Sequence, residues 1–126
     1  MYPENLKYHS EHAWAKIDGN TATVGISYYA QDQLGEIVFL ELPETGTAVE
    51  AGAPFAEIES VKSVSDVYSP VNGTITETNN EVVEAPEIIN EDCYEAGWMI
   101  KVELADASGV DDLLDAAAYE KLVSEE

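Results

Sequence analysis

Short segments of alternating apolar and polar residues, separated by glycine, proline and asparagine, run through most of this chain. This alternation is typical of β-strands that bury one face. The segment 18–20, Asp-Gly-Asn, suits a tight hairpin turn, and the Asn-Gly step at 72–73 is predicted to supply a positive φ in a second turn. Strands are predicted at 14–17, 21–26, 36–41, 53–60, 64–68, 73–79 and 98–103.

Helices are predicted to supplement this β-rich core in two places. Ser27 suits the cap of a short helix that runs to Leu34, with Gly35 as its stop. Near the C-terminus the spacing becomes helical, whereas residues 80–97 have no regular pattern and are predicted to be an ordered loop. We expect one domain over residues 1–126, mainly β with short helices and a C-terminal helix. The helical spacing involves Val110, Leu113, Leu114, Ala117 and Ala118, with Ser108 as a cap.

The charge composition excludes several classes of partner. The chain has 26 acidic residues against five lysines, for a net charge of −21. Nucleic acid and anionic membranes are therefore excluded as partners, because both require cationic surfaces. Such acidity fits either a protein from a high-salt environment or an ordinary acidic carrier, and both explanations stay open. No membrane-spanning stretch or secretory signal is recognised, so a cytoplasmic location is expected.

One basic residue, Lys62, stands alone between Lys16 and Lys101, among sixteen acidic residues. The strands at 53–60 and 64–68 predict a hairpin with this lysine at or near its tip. An exposed lysine is a poor base or Schiff-base nucleophile, since those roles need burial or a neighbouring cation. The residues alone leave two interpretations: a lysine that another enzyme acylates, or an ordinary solvated side chain.

Other residues that often bear chemistry have simpler explanations here. Cys93 is the only cysteine, so no intramolecular disulfide and no Cys-x-x-Cys pair can form. His9, Glu11 and His12 are close in sequence but follow no metal-binding spacing, and no metal site is expected.

The whole chain resembles the H proteins of the glycine cleavage system. Two blocks are the most specific in their order and spacing: Glu59-Ser60-Val61-Lys62-Ser63-Val64-Ser65-Asp66-Val67 and Gly97-Trp98-Met99-Ile100-Lys101. Further matching stretches include Ala30-Gln31-Asp32-Gln33-Leu34-Gly35-Glu36 and Ile89-Asn90. Biotin carriers, which share the general fold, place methionines on both sides of their lysine, where this chain has Val61 and Ser63.

The resemblance implies a flattened β-barrel or hybrid sandwich of the lipoyl/biotinyl-carrier type, with lipoate attached covalently to Lys62. It implies a non-catalytic carrier that shuttles the aminomethyl group of glycine. The arm would receive that group from glycine decarboxylase (P protein) and pass it to an aminomethyltransferase (T protein). A dihydrolipoamide dehydrogenase (L protein) would reoxidise the arm, and a lipoylating enzyme would attach it. The alternative is a relay scaffold that donates lipoyl groups to other lipoyl-dependent enzymes.

The resemblance also implies a surface cleft in which carboxylates hold the cationic amine of the loaded arm. Asp66 matches a family position four residues after the lysine. His12 belongs, with Trp14, to a stretch near the N-terminus that also matches the family. The family often has His-Glu-Trp where this chain has His12-Ala13-Trp14. Glu11, which precedes the histidine, is the candidate to replace the missing carboxylate.

Overall fold

The computed structural model describes residues 2–105 and 113–125. Within them the chain forms two antiparallel sheets and four short helices. The elements are β1 Lys7–Tyr8, β2 Ala13–Asp18, β3 Thr21–Ile26, α1 Tyr28–Leu34, β4 Ile37–Glu41, β5 Ala48–Val49, β6 Pro54–Ser60, β7 Val64–Tyr68, β8 Gly73–Thr78, α2 Asn80–Glu84, α3 Glu87–Glu91, β9 Ile100–Leu104 and α4 Ala116–Ser124. The six-stranded sheet has the order β1-β2-β3-β9-β8-β5, and the three-stranded sheet has the order β4-β6-β7.

The mainly β architecture predicted from the alternation is confirmed. Branched side chains from both sheets, such as Val24, Ile58 and Val102, are at most 1% exposed and form one core cluster. A second cluster packs Tyr8 and Trp14 against Tyr119 of α4, and the rings of Tyr8 and Tyr119 are stacked at 4.7 Å. This aromatic cluster fastens the C-terminal helix to the six-stranded sheet. Among the helices of the described residues, none is long and apolar enough to cross a membrane.

Two local predictions are confirmed at the residues that motivated them. Asp18 pairs with Thr21 across the β2–β3 hairpin, so the turn contains two residues, and its Gly19 has a φ of +63°. The Ser27 side chain accepts a hydrogen bond from the Ala30 N–H at 3.2 Å and caps α1. Gly35, with a φ of +79°, ends the helix in a conformation that glycine adopts without a steric penalty.

The ordered loop predicted at 80–97 is wrong, since α2 and α3 lie there. Each helix has only five residues, which is too short to show a periodic pattern. Asn79 organises the segment: its side chain accepts from the Glu81 N–H and donates to the carbonyls of Ala96 and Trp98. Val82 and Ile89, one from each helix, are fully buried.

The C-terminal helix exists and includes Ala117 and Ala118 as predicted, but Leu113 and Leu114 lie outside it. It covers Ala116–Ser124, and Asp115 caps it by accepting from the Ala118 N–H at 2.8 Å. Leu114 instead forms a β-bridge with Tyr8, so this contact with β1 overrides the local helical spacing. The predicted cap Ser108 and first helical residue Val110 lie outside the described residues.

Gly73 is not in a positive-φ turn, which corrects the interpretation of the Asn-Gly step. It is the first residue of β8, opposite Leu104 in β9. A Cβ at this position would clash with the carbonyl oxygen of Glu103 and lie 2.6 Å from a Val102 methyl group. Glycine is therefore required for the close approach of two backbones, and not for a left-handed turn.

The stability of this fold is expected to rise with salt at neutral pH. Self-repulsion at a net charge of −21 opposes the compact state, and screening weakens it as the Debye length falls from about 10 Å at 0.1 M to about 3 Å at 1 M. Thermal melts in rising potassium chloride test this expectation. The matched control is the same series near pH 4.1, the isoelectric point, where the dependence should flatten. A melting temperature that stays constant or falls at neutral pH would contradict it.

Candidate functional site

The Lys62 hairpin forms as predicted, with three exposed residues, Val61, Lys62 and Ser63, between β6 and β7. The buried Ser60 holds this tip in one conformation. Its N–H donates to the Ser63 carbonyl at 2.8 Å. Its hydroxyl accepts from the N–H groups of Lys62 and Ser63 and donates to the Ser63 carbonyl, with distances of 3.1–3.3 Å. One donor and two acceptor positions are all used, so the tip is a rigid turn.

A second layer fixes the tip to the rest of the protein. The Val61 N–H donates to the Glu36 carbonyl at 3.0 Å. Asn90 of α3 holds both neighbours of Glu36: its Nδ2 donates to the Gly35 carbonyl at 2.8 Å, and its Oδ1 accepts from the Ile37 N–H at 2.9 Å. The same Nδ2 also donates to the Gln31 side chain in α1. Asn90 thus connects α1 and α3 to the strand that supports the tip.

Replacing Asn90 by alanine is expected to destabilise the protein by about 2–3 kcal/mol, because it leaves the N–H of the buried Ile37 unpaired. Amide exchange at Ile37 and Val61 should accelerate more than exchange in the β2–β3 hairpin. Urea unfolding and hydrogen exchange measure both effects. Asn90→Asp is the matched control, since it keeps the acceptor for Ile37 and removes the donors. A loss below about 0.5 kcal/mol in Asn90→Ala would show that this contact does not support the tip.

The Lys62 side chain lies over the end of α1. A Cβ built on Gly35 would be 3.4 Å from Lys62 Cε and 3.9 Å from Nζ. Among the described residues, Lys62 forms no ion pair, although acidic residues surround it in sequence. Its amine is therefore exposed on a rigid support and accessible to a modifying enzyme.

The three residues predicted for a cleft are brought together by the fold. Glu11, His12 and Asp66 line a cleft of about 160 Å³ between α1, β7 and the segment before β2. The floor of the cleft is apolar and includes Ile58 and Leu34. Leu34 directly precedes Gly35, over which the Lys62 side chain lies. Ala13, which stands where the family often has glutamate, is 1% exposed and belongs to the core. This position therefore supplies no carboxylate to the cleft.

The C-terminal helix fixes one wall of this cleft. The Tyr119 hydroxyl is 2.8 Å from His12 Nδ1 and 2.6 Å from the Ser27 hydroxyl. His12 has a φ of +75°, uncommon for a residue with a side chain, and its ring also packs against Tyr29 at 4.7 Å. The aromatic cluster therefore determines where the His12 ring lies, which the sequence pattern did not indicate.

Neither a reactive thiol nor a metal-binding cluster is found in the part of the chain that the structure describes. Cys93 is 5% exposed, and burial raises the pKa of its thiol to about 12, so it stays protonated at neutral pH. Within the described residues, no three His, Cys, Asp or Glu side chains lie close enough to hold a metal ion.

Comparison with known proteins identifies the family. The family model described as Glycine cleavage H-protein matches residues 6–126. The chain belongs to the glycine cleavage H-protein family. The H protein of Carboxydothermus hydrogenoformans is 51% identical over 126 residues, covering 100% of this chain and 97% of the relative. That of Staphylococcus haemolyticus is 50% identical over 123 residues, covering 98% of both.

A solved structure supports the same assignment. The crystal structure of a glycine cleavage system H protein from Mycobacterium marinum matches with a TM-score of 0.89 at 36% identity, over 97% of this chain and 98% of that one. The predicted lipoyl-carrier type of barrel or sandwich is thus confirmed. As an H protein, the chain is a non-catalytic lipoyl carrier of the glycine cleavage system, and its cofactor is lipoate held covalently by a lysine.

Three residues that shape this H-protein site were not assigned roles from the sequence. Ser60 lies inside the lysine motif, but its hydrogen bonds depend on the geometry of the turn. Asn90 and Tyr119 act across 55 and 107 residues of sequence, respectively. The Ile89-Asn90 match to the family was the only available signal for Asn90, and nothing in the pattern marked Tyr119.

Proposed function

We propose that Lys62 is the lysine that carries the lipoyl group of this H protein. The observation that carries the proposal is the amine's position: exposed, outside any ion pair of the described residues, and on a tip locked by Ser60 and Glu36. Because the tip is rigid, the Lys62 amine has the same position for each enzyme that binds there. When bound, the lipoyl group supplies a dithiolane for redox and group-transfer chemistry, and Lys62 supplies the amide nitrogen that tethers it.

We propose further that the carrier serves three enzymes in the cytoplasm: the P protein, the T protein and the L protein. Tethering to Lys62 keeps the reactive end of the arm at an effective concentration on the order of millimolar beside a docked partner. The strongly acidic surface favours partners with basic docking surfaces and speeds their encounter. The rigid tip then limits the positions from which the arm extends.

Reconstitution tests this function. Lipoylated protein is combined with P, T and L proteins, glycine, tetrahydrofolate and NAD, and NADH formation is followed. The proposal predicts glycine-dependent NADH formation that requires the carrier. If the lipoylated protein passes its lipoyl group to other lipoyl-dependent enzymes but supports no NADH formation with glycine, the relay scaffold is the correct function.

The cleft is proposed as the resting place of the loaded arm. Lys62 lies over Gly35, next to Leu34 at the cleft, and Asp66 lies on the opposite wall. A cationic amine at the end of the arm would meet the carboxylates of Asp66 and Glu11, while the apolar floor would exclude water from the rest. The side chain of His12, held by Tyr119, lines the same cleft.

Asp66→Asn is expected to accelerate the spontaneous loss of ammonia from glycine-loaded protein by about tenfold. A charge-assisted hydrogen bond contributes about 1.5–3 kcal/mol, and the exposure of Asp66 places the expected value at the lower end of that range. Glu11→Gln should have a smaller effect in the same direction. Ammonia release is measured without T protein, with Glu103→Gln in the other sheet as the control. Equal decay in all variants would show that these carboxylates do not hold the arm.

A further inference from the structure

A tight turn at residues 9–12 forms part of one wall of the cleft proposed for the loaded arm. The His9 N–H donates to the Ala13 carbonyl at 2.8 Å, and the His12 N–H donates to the His9 carbonyl at 2.9 Å. The His12 carbonyl accepts from the Ser27 N–H at 2.9 Å, which connects the turn to the start of α1. These backbone hydrogen bonds fix both ends of the turn.

The ring of His9 holds the middle of the turn. Its Nδ1 accepts a hydrogen bond from the Glu11 N–H at 3.0 Å, in the way that the side-chain oxygen of an Asx turn accepts from the N–H two residues on. A ring nitrogen that accepts a hydrogen bond carries no proton, so the ring proton of His9 lies on Nε2. The position of the Glu11 backbone at the cleft therefore depends on a neutral imidazole.

The surroundings of His9 disfavour its protonation. The ring lines a second cavity, of about 370 Å³, together with Tyr8 and five residues that do not titrate. These five are Ser10, Ala51, Pro70, Leu113 and Leu114. Burial lowers the pKa of the His9 imidazole, the Glu11 carboxylate opposes this change, and the His12 ring adds to it. Burial also raises the pKa of the Tyr8 hydroxyl, so Tyr8 stays neutral beside the ring.

We propose that His9 is a positioning residue for the loaded arm: its neutral ring holds Glu11 at the cleft, and protonation of Nδ1 releases Glu11. This proposal rests on the role of the cleft proposed above. A protonated Nδ1 is a donor, so it repels the Glu11 N–H instead of accepting from it. The turn then opens at its centre, and the Glu11 carboxylate moves away from the cationic amine of the arm.

The effect of pH has one direction. In an open turn the His9 ring is hydrated and has its ordinary pKa of about 6.5. In the closed turn its pKa is lower, so protons bind more tightly to the open turn. The open fraction therefore rises as the pH falls below about 6.5. The protein should hold the loaded arm more firmly in neutral solution than in mildly acidic solution.

Two substitutions at position 9 separate the hydrogen bond from the titration. His9→Asn places a carboxamide oxygen close to the position of Nδ1, so it accepts from the Glu11 N–H and does not titrate. His9→Ala removes the acceptor. Ammonia release from glycine-loaded protein is measured without T protein between about pH 8 and pH 5.5, which spans the ordinary pKa of histidine.

Each rate is divided by the rate of His9→Asn at the same pH. This ratio cancels the pH dependence of the spontaneous chemistry and the titration of His12, which both proteins contain. Near pH 8 the wild-type ratio should be close to one, and the His9→Ala ratio about threefold higher. As the pH falls, the wild-type ratio should rise at least about twofold, towards that of His9→Ala. The His9→Ala ratio itself should stay constant.

Two further measurements show that His9 acts through Glu11. His9→Ala should add nothing to the effect of Glu11→Gln, since both remove the same carboxylate from the cleft. Nitrogen-15 NMR of the lipoylated wild type should place the His9 ring proton on Nε2 near pH 8. The protonation of Nδ1 should then follow the rise of the wild-type ratio. This spectrum needs no substitution, so it tests the proposal even if a variant folds poorly.

The contradicting results are distinct for the two levels of the account. A wild-type ratio that does not change with pH would overturn the role of His9, and so would equal rates for His9→Ala and His9→Asn. A ring proton on Nδ1 near pH 8 would overturn it as well. If Asp66→Asn accelerates ammonia release in the same experiment, the cleft stands and only the role of His9 fails. If Asp66→Asn has no effect, the proposed role of the cleft fails together with that of His9.

Discussion

Lys62→Arg is expected to abolish lipoyl loading and, with it, glycine-dependent NADH formation in the reconstituted system. Arginine keeps the positive charge and the length of the side chain, but its guanidinium stays protonated and is not acylated. Because the tip is exposed and Lys62 contributes only its backbone N–H to the turn, the free energy of unfolding should change by less than about 0.5 kcal/mol. Loading is measured by intact mass and stability by urea unfolding.

Lys16→Arg is the matched control, because this exposed lysine lies on β2 in the other sheet. It should load and turn over like the wild type. Loading of Lys62→Arg at another lysine, with NADH formation retained, would show that the tip is not the attachment site.

Gly73→Ala is expected to lower the free energy of unfolding by about 2–4 kcal/mol and the melting temperature by roughly 10 °C. The added Cβ meets the backbone carbonyl of Glu103 and a Val102 methyl group, and a backbone clash can be relieved only by separating β8 from β9. Thermal and urea unfolding measure the loss.

Gly19→Ala distinguishes the two reasons for which this chain uses glycine. Gly19 has a φ of +63° and nothing within 4 Å of an added Cβ, so alanine there should cost only about 1–2 kcal/mol, from backbone strain alone. If Gly73→Ala were less destabilising than Gly19→Ala, the close approach of β8 and β9 would not be the reason for the glycine at position 73.

Features determined by neighbouring residues were predictable from the sequence. The Gly19-Asn20 turn, the Ser27 cap and the Lys62 hairpin each depend on interactions within a few residues, and alternation reports directly which face of a strand is buried. The family motif then placed the candidate site residues, and the fold brings three of them to one cleft.

Features that depend on distant partners were not predictable. The five-residue helices α2 and α3 exist because Asn79 caps one of them and tertiary packing buries Val82 and Ile89. Leu114 joins a bridge to Tyr8 instead of a helix, although its spacing is helical. The support of the tip by Asn90 and of His12 by Tyr119 likewise joins residues that lie far apart in sequence.

The most direct test of the central claim is tryptic mapping of the protein purified from its native host. Trypsin does not cleave after an acylated lysine, and Lys62 is the only basic residue between Lys16 and Lys101. The account predicts one fragment, 17–101, that is heavier than its sequence by one lipoyl amide. Unmodified fragments 17–62 and 63–101, with the lipoyl mass on a different peptide or absent, would contradict it.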